Sequence, residues 1–120
     1  MKKSFRERWA NEMAAKDICG ILDVPQGEVA SFLVEDSAGV QKKIAVVHTE
    51  NGNWYALNDR CTHGRVALSD GFVEDNCLEC PRHGAQFDLE TGMPVSPPAT
   101  VPIEMYQLTI ANDRIIIDLS

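Results

Sequence analysis

A chain of 120 residues, 44% hydrophobic and 24% charged, is sized for one domain with a modest core. Its formal net charge of −7 excludes nucleic acid as the main partner. No apolar run nears the roughly 20 residues that span a bilayer, and no apolar secretory segment follows Lys2 and Lys3, so the expectation is a soluble, cytoplasmic protein without a membrane partner.

Ser4 to Lys16 reads as a helix. Ser4 and Glu7 match a capping box, and Phe5, Trp9 and Met13 recur every four residues on one face. A helix this short needs something to bury that face against, either the body or a neighbour; the alternative is a frayed extension. Residues 1–16 are also basic, with Lys2, Lys3, Arg6, Arg8 and Lys16 against Glu7 and Glu12. The remainder is strongly acidic, which suits steered docking on basic partners or simple solubility.

From Asp17 the pattern becomes short strands between turn residues, an all-β signature. Asp17–Leu22 is apolar and ends at a Pro25/Gly27 turn. Glu28–Glu35 alternates loosely, with Val29, Ser31 and Leu33 on one face and Ala30, Phe32 and Val34 on the other. Lys42–Thr49 holds Ile44-Ala45-Val46-Val47, a fully buried strand by composition. Asn51-Gly52 is a strong hairpin signal, and Trp54–Asn58 is the return strand. Leu68–Gly71 is a turn, and short strands are expected at Phe72-Val73, Asn76–Glu79 and Ala85–Leu89, with Phe87 inward. Glu104–Ile110 and Arg114–Leu119 flank a second hairpin at Ala111-Asn112-Asp113.

Two arms in the middle of the chain carry the chemistry. Cys61-Thr62-His63-Gly64 and Cys80-Pro81-Arg82-His83-Gly84 each offer one thiolate and one imidazole, with 16 residues between His63 and Cys80. Two Cys and two His could hold zinc, but a zinc finger pairs Cys with Cys and then His with His. Here each arm reads Cys then His, then Gly. Four cysteines without a secretory segment favour metal over disulfides. Cys77 and Cys80 also form a Cys-x-x-Cys, a redox-dithiol pattern; the other reading makes Cys77 a small apolar strand residue. Cys19 lies outside both arms. His48 is either a surface or a satisfied structural histidine, and Trp54 and Tyr55 read as core.

The two arms, with Gln86-Phe87-Asp88 after the second, resemble those of Rieske [2Fe–2S] proteins, and the resemblance covers about Ile18 to Leu119. It implies an all-β, Rieske-type antiparallel sandwich or barrel with a small inserted cluster-binding subdomain, beside the short N-terminal helix. The expected organisation is a helical extension over 1–16 and a Rieske domain over 17–120, its cluster-binding part at about 60–100. The resemblance also implies one [2Fe–2S] cluster, with Cys61 and Cys80 on one iron and His63 and His83 on the other, the histidine edges forming the electron exit. It places the proline loop Ser96–Thr100 over the cluster; a plain crossover between sheets is the alternative. Arg65 and Arg82 either sit near the tip and favour the reduced anion or are solvated surface charges.

Within the family this chain is most similar to the ferredoxins of ring-hydroxylating dioxygenase systems. They pass electrons from a flavin-dependent reductase to a terminal oxygenase and catalyse nothing themselves. Ligand loops without an added cysteine pair fit that branch. High-potential members have a Ser where this chain has Ala85 and a Tyr where it has Arg82. Both absences predict a potential near the low end of the Rieske range, roughly −150 mV or a little above. Three alternatives stand beside this reading: a small subunit of NADH-dependent nitrite reductase, a Rieske-type protein associated with iron–sulfur assembly, and a zinc-stabilised interaction module.

Overall fold

The computed structural model describes residues 15–61, 66–82, 84–95 and 101–119. Among the described residues nine strands run in chain order: β1 (Ala15–Gly20), β2 (Glu28–Glu35), β3 (Gln41–His48), β4 (Trp54–Asn58), β5 (Phe72–Glu74), β6 (Cys77–Glu79), β7 (Gln86–Asp88), β8 (Met105–Ala111) and β9 (Arg114–Asp118). Single 3₁₀ turns occur at Ile21–Asp23 and Leu68–Asp70.

Six strands form one antiparallel sheet in the order β1-β9-β8-β4-β3-β2. Its two edge strands, β1 and β2, approach each other, so the sheet closes most of a barrel. The remaining three, β5-β6-β7, form a small antiparallel sheet inserted between β4 and β8. This is the all-β architecture with an inserted subdomain that the sequence implies.

Strand β3 explains how the two units pack. Ile44, Val46, Ala56, Ile115 and Ile117 fill the barrel interior, with Phe32 and Trp54 against them. Ala45, Val47 and Leu57 face the other way and meet Leu68, Leu78, Phe87 and Leu89 of the inserted unit. Ile44 to Val47 are therefore buried without alternation, since each face of the strand looks into a different core. Phe87 is fully buried, as its place in the strand predicts, and a side chain of that size contributes about 1.5–3 kcal/mol by leaving water.

The turns follow their residues. Gly52 takes φ +87 in the β3–β4 hairpin, where Thr49 N–H donates to Asn53 O at 2.8 Å. Asn112 and Asp113 both have positive φ, the requirement of a two-residue turn that matches strand twist.

The start of the domain differs from expectation. Ala15 and Lys16, read as the end of a helix, open β1 and pair with Asp118 and Ile117 of β9. The ladder to β9 supplies backbone partners that an isolated segment lacks, and it overrides the local helical pattern. The rest of the expected helix, including Phe5, Trp9 and Met13, lies outside the described residues. No described helix is long and apolar enough to cross a membrane.

Candidate functional site

The two arms are built alike. β4 delivers Cys61, whose N–H donates to Val66 O at 2.9 Å. β6 delivers Cys80, whose N–H donates to Ala85 O at 2.7 Å. In each arm the cysteine amide reaches the carbonyl five residues on, so both cysteines open loops of equal span. Gly84 N–H also donates to Cys80 O, at 3.1 Å. Gly84 has φ +69, a conformation that side chains disfavour, and its missing Cβ would meet nothing within 4 Å. Backbone freedom, and not space, is what glycine supplies there.

Cys61 and Cys80 are 0% and 1% exposed and belong to one apolar cluster with Leu68, Leu78, Ala85 and Phe87. The four cysteines, all described, form no disulfide. The donor side of the arms is thus two thiols on a dry floor, brought together from two sheets. Pro81 and Arg82 on the outer side of the second loop are exposed. The other two expected ligands, His63 and His83, lie outside the described residues, as do Arg65 and the proline loop Ser96–Thr100. Just before that loop, Val95 N–H donates to Gln86 O at 2.8 Å, which ties the chain to β7.

Asp59 braces the first arm. Its residue is 3% exposed, and its N–H donates to Lys43 O at 2.9 Å. Its Oδ1 accepts from Ser69 N–H at 2.7 Å and its Oδ2 from Ser69 Oγ at 2.6 Å. Lys43 Nζ lies 3.9 Å from Oδ2. Two residues before Cys61, the chain is therefore pinned to the 3₁₀ turn that begins at Leu68. The small sheet has a second tie: Tyr55 of β4 bonds to Asn76 and Glu90.

The remaining cysteines and histidine have other roles. Cys77, half-buried on β6, has its thiol pushed up by burial and then by Asp88, Asp75 and Glu74. A thiol held protonated by burial and acidic neighbours is a poor nucleophile, against the redox-dithiol reading of Cys77-x-x-Cys80. Cys19 is buried in the barrel core, away from the arms. His48 is the satisfied structural histidine of the two readings. Its Nδ1 lies 2.9 Å from Val24 O and its ring stacks on Trp54 at 3.9 Å between centroids.

Sequence reasoning named the arms but not Asp59, Ser69, Asn76 or Glu90, and it read Tyr55 only as core, without its hydroxyl bonds. Asp-x-Cys at 59–61 is a local signal for the first of these. Ser69, Asn76 and Glu90 occupy turns where their residue types are ordinary.

A family model, the Rieske [2Fe-2S] domain, matches residues 14–107. The chain belongs to the Rieske [2Fe–2S] family. The 3-phenylpropionate/cinnamic acid dioxygenase ferredoxin subunit of Shigella flexneri serotype 5b (strain 8401) is 40% identical over 102 residues, 84% of this chain and 90% of that one. Among solved structures, the Sphingomonas yanoikuyae B1 ferredoxin aligns with a TM-score of 0.79 at 30% identity, over 88% of this chain and 98% of that one. A chain of the complex of reduced oxygenase and oxidized ferredoxin in carbazole 1,9a-dioxygenase aligns with a TM-score of 0.76 at 29% identity, over 88% and 94%.

As a Rieske protein the chain carries a [2Fe–2S] cluster and serves as an electron carrier. The zinc-stabilised alternative falls with that assignment. The donor set fits the group. Two buried thiols on separate, equally long loops suit the all-sulfur iron of a Rieske pair, and two histidines in the same arms suit the other. Bound there, the cluster supplies one-electron chemistry. The chain's part is to exclude water with Leu68, Leu78 and Phe87 and to hold each cysteine by its own amide. Ala85 is fully buried and offers no hydroxyl donor.

Proposed function

We propose that this protein takes single electrons from a flavin-dependent reductase and delivers them to the terminal oxygenase of a ring-hydroxylating dioxygenase system, in the cytoplasm. In this reading Cys61 and Cys80 hold one iron of the cluster and His63 and His83 the other. The histidines carry the electron to partners docked at the cluster tip. Neutral imidazoles donate less charge than thiolates, so the histidine-bound iron is the one reduced.

The observation that carries the reading is the 40% identity, over 90% of its length, to a subunit named as a dioxygenase ferredoxin. The carbazole dioxygenase complex, in which a ferredoxin of similar fold sits with its oxygenase, supports docking on an oxygenase. The two similar arms and their buried thiols support the ligand set. Ala85, which offers no hydroxyl donor, supports a potential near the low end of the Rieske range.

The test uses anaerobically purified protein. Iron and inorganic sulfide near two each per chain are expected, with a brown colour and an EPR signal on reduction. Ser or Ala at Cys61, Cys80, His63 or His83 removes the native spectrum. Reduction by a flavin reductase with NADH, followed by turnover of a purified ring-hydroxylating oxygenase, confirms the route. Reduction without oxygenase turnover across such enzymes overturns the partner assignment and leaves the carrier. A midpoint potential above zero refutes the low-potential reading.

A further inference from the structure

We propose that the buried carboxylate of Asp59 is a fixed negative charge that holds the reduction potential of the cluster down. The proposal rests on the reading of Cys61 as a cluster ligand. Three observations carry it.

The charge is close. Asp59 and Cys61 are two residues apart, so their Cα atoms are separated by no more than about 7 Å. Main-chain bonds from Asp59 N–H to Lys43 O and from Cys61 N–H to Val66 O fix both residues.

The charge is built in. A buried carboxylate is costly unless its oxygens are satisfied. Here Oδ1 accepts from Ser69 N–H and Oδ2 from Ser69 Oγ, at 2.7 and 2.6 Å, with Lys43 Nζ at 3.9 Å. Ser69 thus occupies both oxygens, and Lys43 is the facing cation.

The charge is unbalanced in its field. The Asp59 side chain is 0% exposed, whereas that of Lys43 is 54% exposed. Water and salt screen the lysine end, while the carboxylate end acts through the apolar cluster that contains Cys61, Leu68 and Cys80. Reduction adds one electron and one negative charge, with no bond formed or broken. A like charge fixed nearby disfavours that step.

The test is the midpoint potential of the purified holoprotein, titrated with dithionite or read by voltammetry at low salt. Asp59→Asn keeps the shape and most of the hydrogen bonds and removes the charge. Its midpoint shifts positive, with the reduction equilibrium raised about tenfold, about 59 mV for one electron. Asp59→Glu keeps the charge and stays near the wild type. Ser69→Ala loosens the brace without removing the charge and shifts the midpoint less than Asp59→Asn does. Lys43→Gln removes the counter-charge and shifts it negative. An Asp59→Asn midpoint that is unchanged or lower overturns the proposal. Should Asp59→Asn fail to assemble, a Lys43→Gln protein without a negative shift overturns it instead. A wild-type protein lacking the cluster spectrum defeats the ligand reading and this proposal together; an intact spectrum with unmoved midpoints defeats this proposal alone.

Discussion

Tyr55 on β4 and Asn76 in the β5–β6 turn are joined across the seam between the large sheet and the cluster unit. Asn76 Nδ2 donates to Tyr55 Oη at 3.0 Å, and Oη donates onward to the Glu90 carboxylate. Burial first, and then the Glu90 hydrogen bond, raise the Tyr55 hydroxyl above its usual range, so it remains a donor at neutral pH. Tyr55→Phe removes both bonds and leaves the ring packed. The expected cost is about 1–2 kcal/mol, with faster loss of the cluster on mild heating. Denaturant unfolding and the decay of visible absorbance measure the two effects. A variant as stable as the wild type on both scales would show that the seam is held by apolar packing alone.

The two cysteines of Cys77-x-x-Cys80 should behave oppositely. Cys80 is 1% exposed and opens the second arm, whereas Cys77 sits on β6 opposite Asp88. Cys77→Ala is expected to keep full iron and sulfide and to cost about 1 kcal/mol or less, since the removed sulfur is only half-buried. Cys80→Ala loses the cluster. Iron and sulfide analysis of both variants decides the matter. A Cys77→Ala protein without iron would give the dithiol pattern a role after all.

How legible the fold was depends on where each strand finds its partner. The bounds of β2 and β4 could be read directly, because turn residues flank them closely. Strand β3 could be read as buried because both its faces enter a core. Strand β1 was misjudged at Ala15 and Lys16, since its partner β9 lies nearly a hundred residues away and leaves no local trace. The ligand arms were legible because Cys and His in a repeated order are rare. Asp59–Ser69 and Tyr55–Asn76–Glu90 were not. Each member is an ordinary residue beside a turn, and only the folded chain brings the donors to the acceptors.

Gly71 guards the approach of the first arm to the second. Its N–H donates to Leu68 O at 3.0 Å, and its backbone is extended enough for any residue. Space is what forbids a side chain. A Cβ there would run into the carbonyl oxygen of Glu79, the residue before Cys80, and would lie 3.1 Å from Leu68 O. Backbone atoms cannot rotate away as a side chain does. Gly71→Ala should therefore force β5 and β6 apart at a cost of about 1–3 kcal/mol and reduce cluster retention. Unfolding curves of the two holoproteins test this. A loss below about 0.5 kcal/mol would mean that the close approach relaxes freely.

Cys19, far from the cluster arms, should set part of the alkaline limit of stability. Burial first, and then the Asp23 carboxylate, push its thiol from 9.0 up to about 11. The unfolded chain therefore loses this proton near pH 9, while the folded chain keeps it until about pH 11. Below pH 9 both states hold the proton and the contribution to stability is complete. Between about pH 9 and 11 the unfolded state alone is deprotonated, so stability falls as the pH rises. Cys19→Ser has nearly the same size and does not ionise in this range. Tyr55, Tyr106 and the cluster respond to pH in both proteins, and their contributions cancel in the comparison. The difference in unfolding free energy between wild type and variant should be constant below pH 9 and shrink from there to pH 11. Two curves that stay parallel through pH 11 would show that the Cys19 thiol titrates alike in the folded and unfolded chains.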